Sequence, residues 1–395
     1  MISFYPSEEE RALLETIQRF AEDSLAPAVR EADRNMTVAD SVRNTYRETA
    51  MHLVGLPESH GGVGFGLTAK VLAEEALSKT DAAQAVALDD AGLAAQAIVA
   101  LATSEQAEAL LSPLADQADY SLAFASAESD PAAHLGYMSA RAERQDGGFV
   151  LNGEKLGVYN AARAKKLIVL AKTSDAEGLS GLDAFVVDPT CQGVEITPED
   201  RMGLRAGGAC RIRFDNVSLS ANAHLNGADD QTAALGRLFN IARTVTAARI
   251  VGAARGALSY AIDYAQDRKT FGKPICGHQG LAFFIADMEV ATEAARNLVL
   301  KAAYELENGE DATVSSCNAA IYACESGVRV TVDAVQVFGG AGFMKDMPVE
   351  RYMRDVRTLG NMFGTSEDHI AVLGEFLYAP TDAVSKESTQ KVATA

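Results

Sequence analysis

The hydrophobic period of this chain changes twice, and that double change limits the folds open to it. Over residues 7–120 apolar side chains recur at helical spacing. Ser7 and Glu10 have the spacing of a capping box, with Glu8 and Glu9 in the first turn, where the helix dipole favours anions. Leu13, Leu14, Ile17, Phe20 and Ala21 follow on one face, and Ala-rich segments at 67–79 and 83–103 extend the pattern. Pro57 and the glycines from Gly61 to Gly66 interrupt it. From about residue 121 the runs shorten: Phe149–Gly153, Leu167–Ala171, Ala184–Val187, Gly193–Ile196 and Arg211–Phe214 read as strands. Turn signals at Asp146-Gly147-Gly148, Asn152-Gly153 and Gly207-Gly208 separate them. After about residue 230 the helical period returns and lasts to about 378. The order predicts an α+β protein, not the strand–helix alternation of a doubly wound sheet. The expected units are a helical domain (1–120), an antiparallel β-domain (121–230), a helical bundle (231–378) and a polar tail (379–395).

A formal net charge of -19 argues against sustained contact with nucleic acid or an anionic membrane, which would repel the chain. A few placed Arg and Lys can still make a local phosphate site. The five cysteines are odd in number and form no CxxC pair, so neither a metal site nor a disulfide framework is expected, and a reducing cytoplasm is the natural compartment. Residues 1–25 lack the pattern of a signal peptide, and no apolar run is long enough to span a bilayer.

Three segments carry chemical signals. Arg268, in Asp267–Pro274, falls where a long helix ends; it can hold a pyrophosphate in a bidentate fork or simply complement the helix dipole. Gly339, Gly340 and Gly342 follow Gln336 at another helix end, where they allow close backbone approach to a ligand or form an ordinary C-cap. The cluster Gly61–Gly66 looks like a dinucleotide fingerprint, but no strand precedes it, which excludes that reading.

In order along the chain, however, the motifs resemble one family. They run from Leu56 to Gly64, then Glu74-Glu75, Asn152–Lys155, Tyr264 to Gln279, Ala286–Met288, Ala334 to Phe343, Pro348 to Asp355 and Gly364–Glu367. This set is similar to the acyl-CoA dehydrogenases from about residue 5 to 378. The resemblance implies an N-terminal all-α domain, a middle antiparallel β-domain and a C-terminal four-helix bundle. It also implies a homodimer or homotetramer binding FAD between subunits, with an acyl-CoA or other thioester as substrate. Carried over residue by residue, Arg268 and Phe271 would hold the FAD pyrophosphate and adenosine from a neighbouring subunit. Gln336, Gly339 and Gly340 would act across the same interface, and Thr365 and Glu367 would face the adenine side. Arg243 matches an Arg near the active site, its plain alternative being a helix salt bridge.

The departures from the family fall at its reaction centre. The family's chemistry needs a base within about 3.2 Å of the substrate α-proton. The usual glutamate position is Phe363 here, and the minority position, one residue before Arg243, is Ala242. A Trp-Ile-Thr run that packs on the flavin corresponds to Gly157-Val158-Tyr159, which removes roughly 200 Å² of aromatic surface. Tyr159, substrate, or solvent and oxygen would fill that space, and Tyr159 is a candidate hydrogen bonder to the flavin. The loop that opens at Ala127 and runs to His134 lacks the hydroxyls that would touch flavin and pyrophosphate. Asp89 and Asp90, in an apolar stretch of a helix beside the acyl pocket, are candidate substitute bases whose pKa desolvation would raise; both could equally face solvent. Three readings follow. One is a flavoenzyme with non-standard chemistry on a thioester, such as oxygenation of a ring-bearing CoA ester in secondary metabolism. The others are a glutamate-less subunit of a heteromeric acyl-CoA dehydrogenase and a non-catalytic FAD-binding relative.

Overall fold

The structure, a computed structural model, describes residues 6–129 and 137–378; His134 and the 379–395 tail lie outside them. Six helices come first: α1 (Glu8–Phe20), α2 (Ala26–Asn35), α3 (Asp40–Glu48), α4 (Leu67–Leu88), α5 (Gly92–Leu101) and α6 (Ser104–Asp116). The Ser7 hydroxyl accepts from the Glu10 amide at 3.1 Å and the Glu10 carboxylate accepts from the Ser7 amide at 2.7 Å, completing the capping box. Ile17, Phe20 and Ala21 are buried where α1 ends. The helix expected over 83–103 is broken. α4 runs to Leu88, and α5 starts at Gly92 with its axis bent by 56°. Asp89 makes the break, its carboxylate accepting the Gly92 amide at 3.0 Å, a local bond that competes with the helical ladder.

Eight strands build one sheet: β1 (Leu122–Ala125), β2 (Arg141–Gln145), β3 (Gly148–Val158), β4 (Lys166–Lys172), β5 (Leu182–Val187), β6 (Val194–Pro198), β7 (Cys210–Leu219) and β8 (His224–Leu225). Their order is β6-β7-β3-β2-β4-β5-β8, with β1 beside β4. The expectation of an antiparallel domain needs correcting at two places: β1 runs parallel to β4, and β2 meets β4 in parallel at Arg141↔Lys172. A parallel pair needs a long crossover, and here the intervening β2–β3 hairpin supplies it. β3 slips register against β7 between Lys155 and Val158. Such an irregularity bends a strand and re-aims its side chains, and this one carries Gly157.

The C-terminal helices are α7 (Gln231–Asp267), α8 (Gln279–Glu307), α9 (Thr313–Phe338), α10 (Val349–Leu359) and α11 (Ser366–Tyr378). α7, α8, α9 and α10 pack on one another and α11 lies on α9. α7 also packs tightly against α4. A β-carbon at Gly252 would stand 2.2 Å from the Glu75 carbonyl oxygen, so only glycine permits that approach. The N-terminal helices and the bundle therefore share one core, with Leu77, Leu88, Ala254, Leu258 and Tyr352 inside it. A second core joins α5 and α6 to the sheet through Ile98, Leu111, Ile168 and Leu170. Among the described residues no single helix is long and apolar enough to cross a membrane.

Candidate active site

A cavity of about 240 Å³ opens where the three units meet. Leu56, Leu67 and Val86 line it from the N-terminal helices, and Leu122, Phe124, Ala127 and Gly157 from the sheet. Ile241, Ala242 and Val245 of α7 complete the wall together with Met362 and Phe363. The α7 side chains repeat at i, i+3 and i+4, one helix face. Phe363 sits in the α10–α11 turn with φ 57°, its ring 6.2 Å from that of Phe124. Ala242, Phe363, Gly157 and Tyr159, the positions singled out from the sequence, thus lie around one space.

Gly157 is where a guanidinium meets this wall. Its φ is 60°, and a β-carbon there would stand 2.7 Å from Arg201 Nη2. The Arg201 guanidinium covers the glycine and is itself held by Glu199, whose Oε2 accepts from Nε at 3.0 Å and Nη2 at 2.8 Å. The same oxygen accepts the Gly157 amide at 3.0 Å. Sequence reading missed Arg201, because it lies 44 residues away in a loop that only the folded sheet brings back. Tyr159 packs instead toward Gly207 and Val86. Burial pushes its hydroxyl up to about 12, against the pull of Arg201. Its Oη is sealed within protein, with the Arg201 guanidinium as its polar neighbour.

Among the described residues two carboxylates line the cavity, and both are held by cations. Glu128 Oε1 accepts from Lys155 Nζ at 2.8 Å, and its Oε2 takes the Ser139 amide at 2.6 Å. Burial raises the Glu128 carboxyl, but Lys155 and Ser139 hold it below the ordinary value. Lys155 is wholly buried, and burial pushes it down to about 8. Asp89 belongs to a closed ring of four. Lys70 Nζ reaches Glu74 Oε1 at 2.9 Å and Asp89 Oδ1 at 2.8 Å. Arg249 closes the ring, with Nε to Glu74 Oε2 and Nη2 to Asp89 Oδ2 both at 2.6 Å.

These contacts revise the expected roles. Burial alone would raise the Asp89 carboxyl, but Lys70 and Arg249 hold it well below the ordinary value. It is a poor proton acceptor. Asp90 is raised by burial against Arg47 and Arg43, yet it is ion-paired to both and is not part of the cavity lining. Neither residue lies within a regular helix: they form the break between α4 and α5. Arg243 faces away from Ala242, bonding Asn240 Oδ1 at 2.7 Å and lining a separate, smaller cavity beside Gly364. Burial lowers its pKa.

The remaining cofactor candidates are not part of this wall. Arg268 caps α7, and Phe271 in the following turn is 97% exposed. Gln336, Gly339 and Gly340 are exposed at the end of α9, with open space where β-carbons of the two glycines would stand. Thr365 starts α11, its hydroxyl and amide shared with Asp368, and Glu367 is exposed in the first turn. One chain brings Ala127 and Tyr159 to the cavity and leaves the others on its surface.

Family models for the N-terminal, middle and C-terminal domains of acyl-CoA dehydrogenase match residues 7–118, 123–217 and 232–378. The chain belongs to the acyl-CoA dehydrogenase family. The acryloyl-CoA reductase (NADH) of Anaerotignum propionicum is 33% identical, over 94% of this chain and 95% of that protein. The cyclohex-1-ene-1-carbonyl-CoA dehydrogenase of Geobacter metallireducens is 32% identical, over 95% and 99%. Butyryl-CoA dehydrogenase from Megasphaera elsdenii has the same fold, with a TM-score of 0.88 at 31% identity over 95% of this chain and all of that one. As in other acyl-CoA dehydrogenases, a β-domain lies between two helical units. Homologues of this chain are flavin-dependent oxidoreductases.

Proposed function

We propose that this acyl-CoA dehydrogenase relative binds FAD and acts on an acyl thioester by chemistry that does not use a glutamate base. The observation that carries the reading is the state of the cavity's ionisable groups among the described residues. Both carboxylates that line it there are locked by cations, and Phe363 and Ala242 offer no proton acceptor. FAD supplies a two-electron acceptor, and when reduced a route for electrons to oxygen.

The chain's residues suit such a cofactor. Ala127, Gly157 and Tyr159 line the cavity together, with the Arg201 guanidinium over the glycine. Arg268 and Phe271, with Gln336, Gly339 and Gly340, would hold the dinucleotide from an adjoining subunit, and Thr365 and Glu367 would meet its adenine side. Exposed Phe271, Phe283, Val290 and Phe343 support assembly into a homodimer or homotetramer, since that much apolar surface favours a covered interface.

Substrates with a more acidic C–H need no strong base, and oxygenation needs none at the α-carbon. In the oxygenating version one atom of O₂ enters the ester and the other leaves as water, with two electrons delivered through FAD from an external reductant. Flavin-loaded protein would be assayed with CoA esters, including ring-bearing ones, anaerobically and under ¹⁸O₂. Turnover without ¹⁸O in the product would remove oxygenation and leave base-independent dehydrogenation. A chain that binds FAD only together with a second, glutamate-bearing subunit would replace the reading with that of a heteromer.

A further inference from the structure

The ring of Lys70, Glu74, Asp89 and Arg249 is built from two cations and two carboxylates, none of whose side chains is more than a tenth exposed. Removing four charges from water is costly, and their mutual attraction offsets that cost only with good geometry. The four contacts close the ring, and a purely structural ring would use every donor it buries. This one leaves a donor over. Arg249 uses Nε on Glu74 and Nη2 on Asp89, while Nη1 has no protein acceptor among the described residues. Arg249 as a whole is 5% exposed and lines the cavity, and Nη1 is not among the atoms sealed within protein. Lys70, also on the lining, uses two of its three N–H groups on the ring.

Arg249 lies on the face of α7 that carries Ala242, seven residues further on, or roughly 10 Å along the helix axis. The cavity thus has an apolar region around Ala242 and Phe363 and a region floored by this ring. A buried donor with no acceptor favours a ligand atom that accepts from it, and a site so equipped rejects analogues lacking that atom.

We propose that the Arg249 end of the cavity is a recognition subsite for a neutral hydrogen-bond acceptor, a carbonyl or hydroxyl oxygen, on the acyl group. The inference rests on the thioester reading above. Arg249 Nη1 is the donor, and Lys70, Glu74 and Asp89 hold the guanidinium plane in place. Neutrality follows from the charge count: the ring is balanced, so a carboxylate placed on it would leave a buried excess of negative charge. The other lining cation, Arg201, is already engaged by Glu199.

The test measures binding to the full-length, flavin-loaded protein, by calorimetry and by perturbation of the flavin spectrum. The probes are straight-chain acyl-CoA esters in pairs, one member with a ketone at the penultimate carbon and one with a methylene there. The pairs extend over a range of chain lengths, with a carboxylate-ended ester at each length. At one length the oxo ester should bind at least tenfold more tightly than its methylene partner, and the carboxylate-ended ester no more tightly than the methylene one. Arg249→Lys keeps the ring's charge and withdraws Nη1. In that variant the oxo preference should fall below about threefold. The ratio is taken within one protein, so general weakening of the fold leaves it unmoved. Equal binding of oxo and methylene esters at every length would overturn the subsite, as would preference for the carboxylate or an undiminished ratio in folded Arg249→Lys. Failure of all the esters to bind, methylene ones included, would instead strike down the thioester reading and this inference with it.

Discussion

The two regions of the cavity are opposites. Around Ala242, Phe363 and Gly157 the described wall holds no free carboxylate: Glu128 is paired with Lys155, and the guanidinium that covers Gly157 is neutralised by Glu199. At the Lys70–Arg249 end four charges crowd together, yet each carboxylate is tied to two cations. The comparison teaches that a buried acid is not thereby a base. Desolvation raises a carboxyl's proton affinity unless the cations beside it outweigh the loss of water, as the two beside Asp89 do and the two beside Asp90 do not. The charge-rich region is built for rigidity and recognition, and the charge-poor region is where an added acid would be free to act.

Phe363→Glu breaks the contrast most directly. Phe363 already sits at φ 57°, so a glutamate there is no more strained than the phenylalanine, and the one cation named on that wall, Arg201, is already paired with Glu199. Anaerobic reduction of the flavin by a saturated straight-chain acyl-CoA should accelerate by about 10²- to 10⁴-fold, the range a positioned general base supplies. Stopped-flow absorbance would follow it. If neither Phe363→Glu nor Ala242→Glu speeds reduction, these walls do not flank the reacting carbon.

The charged region yields the second effect. Asp89→Asn leaves Lys70 and Arg249 sharing Glu74 alone, and should cost about 3 kcal/mol at neutral pH by denaturant unfolding. The sign of its pH dependence follows from Asp89 being held below its ordinary 3.8 in the folded protein. The unfolded chain then binds the proton more readily, so the stabilisation is full above about pH 4 and fades as pH falls through the lower folded value. Wild type and variant should therefore converge on acidification. A gap that widens at low pH would mean that Asp89 is not ionised in the ring.

Much of this was legible in the sequence, and the illegible part has a physical cause. The capping box at Ser7, the strand at Leu167–Ala171 and the helix ends at Arg268 and Gly339 are local, fixed by neighbours a few residues away. The convergence of Ala242, Phe363 and Gly157 came through the family resemblance, which carries three-dimensional information that spacing lacks. The ring did not, although Lys70 and Glu74 stand at i, i+4 among the apolar residues that open α4 and Arg249 interrupts an Ala-rich run. Their pairing spans 175 positions in Glu74–Arg249 and cannot be read from either segment alone. The parallel β1–β4 pair was missed for a similar reason: Leu122–Ala125 is too short to show a period, and its partner lies beyond a whole hairpin.

The smallest expected effect sharpens the comparison by holding distance constant. Lys166 Nζ stands 2.9 Å from Asp188 on the sheet, and Lys70 Nζ stands 2.9 Å from Glu74. The first pair's side chains are 35% and 39% exposed, the second's 10% and 1%. Water and salt screen the first, and holding two flexible side chains together offsets most of what attraction remains, so Lys166→Ala should cost well under about 1 kcal/mol. Raising salt should erase even that, because exposed charges lose their interaction as the Debye length shrinks. Lys70→Ala strands Glu74 and Asp89 with Arg249 alone and should cost several times more, with little change in salt. Urea unfolding of both variants at low and high sodium chloride compares them. Equal losses, or equal salt sensitivity, would show that burial does not set the worth of the ring, and the division of the cavity into a locked region and a free one would fall with it.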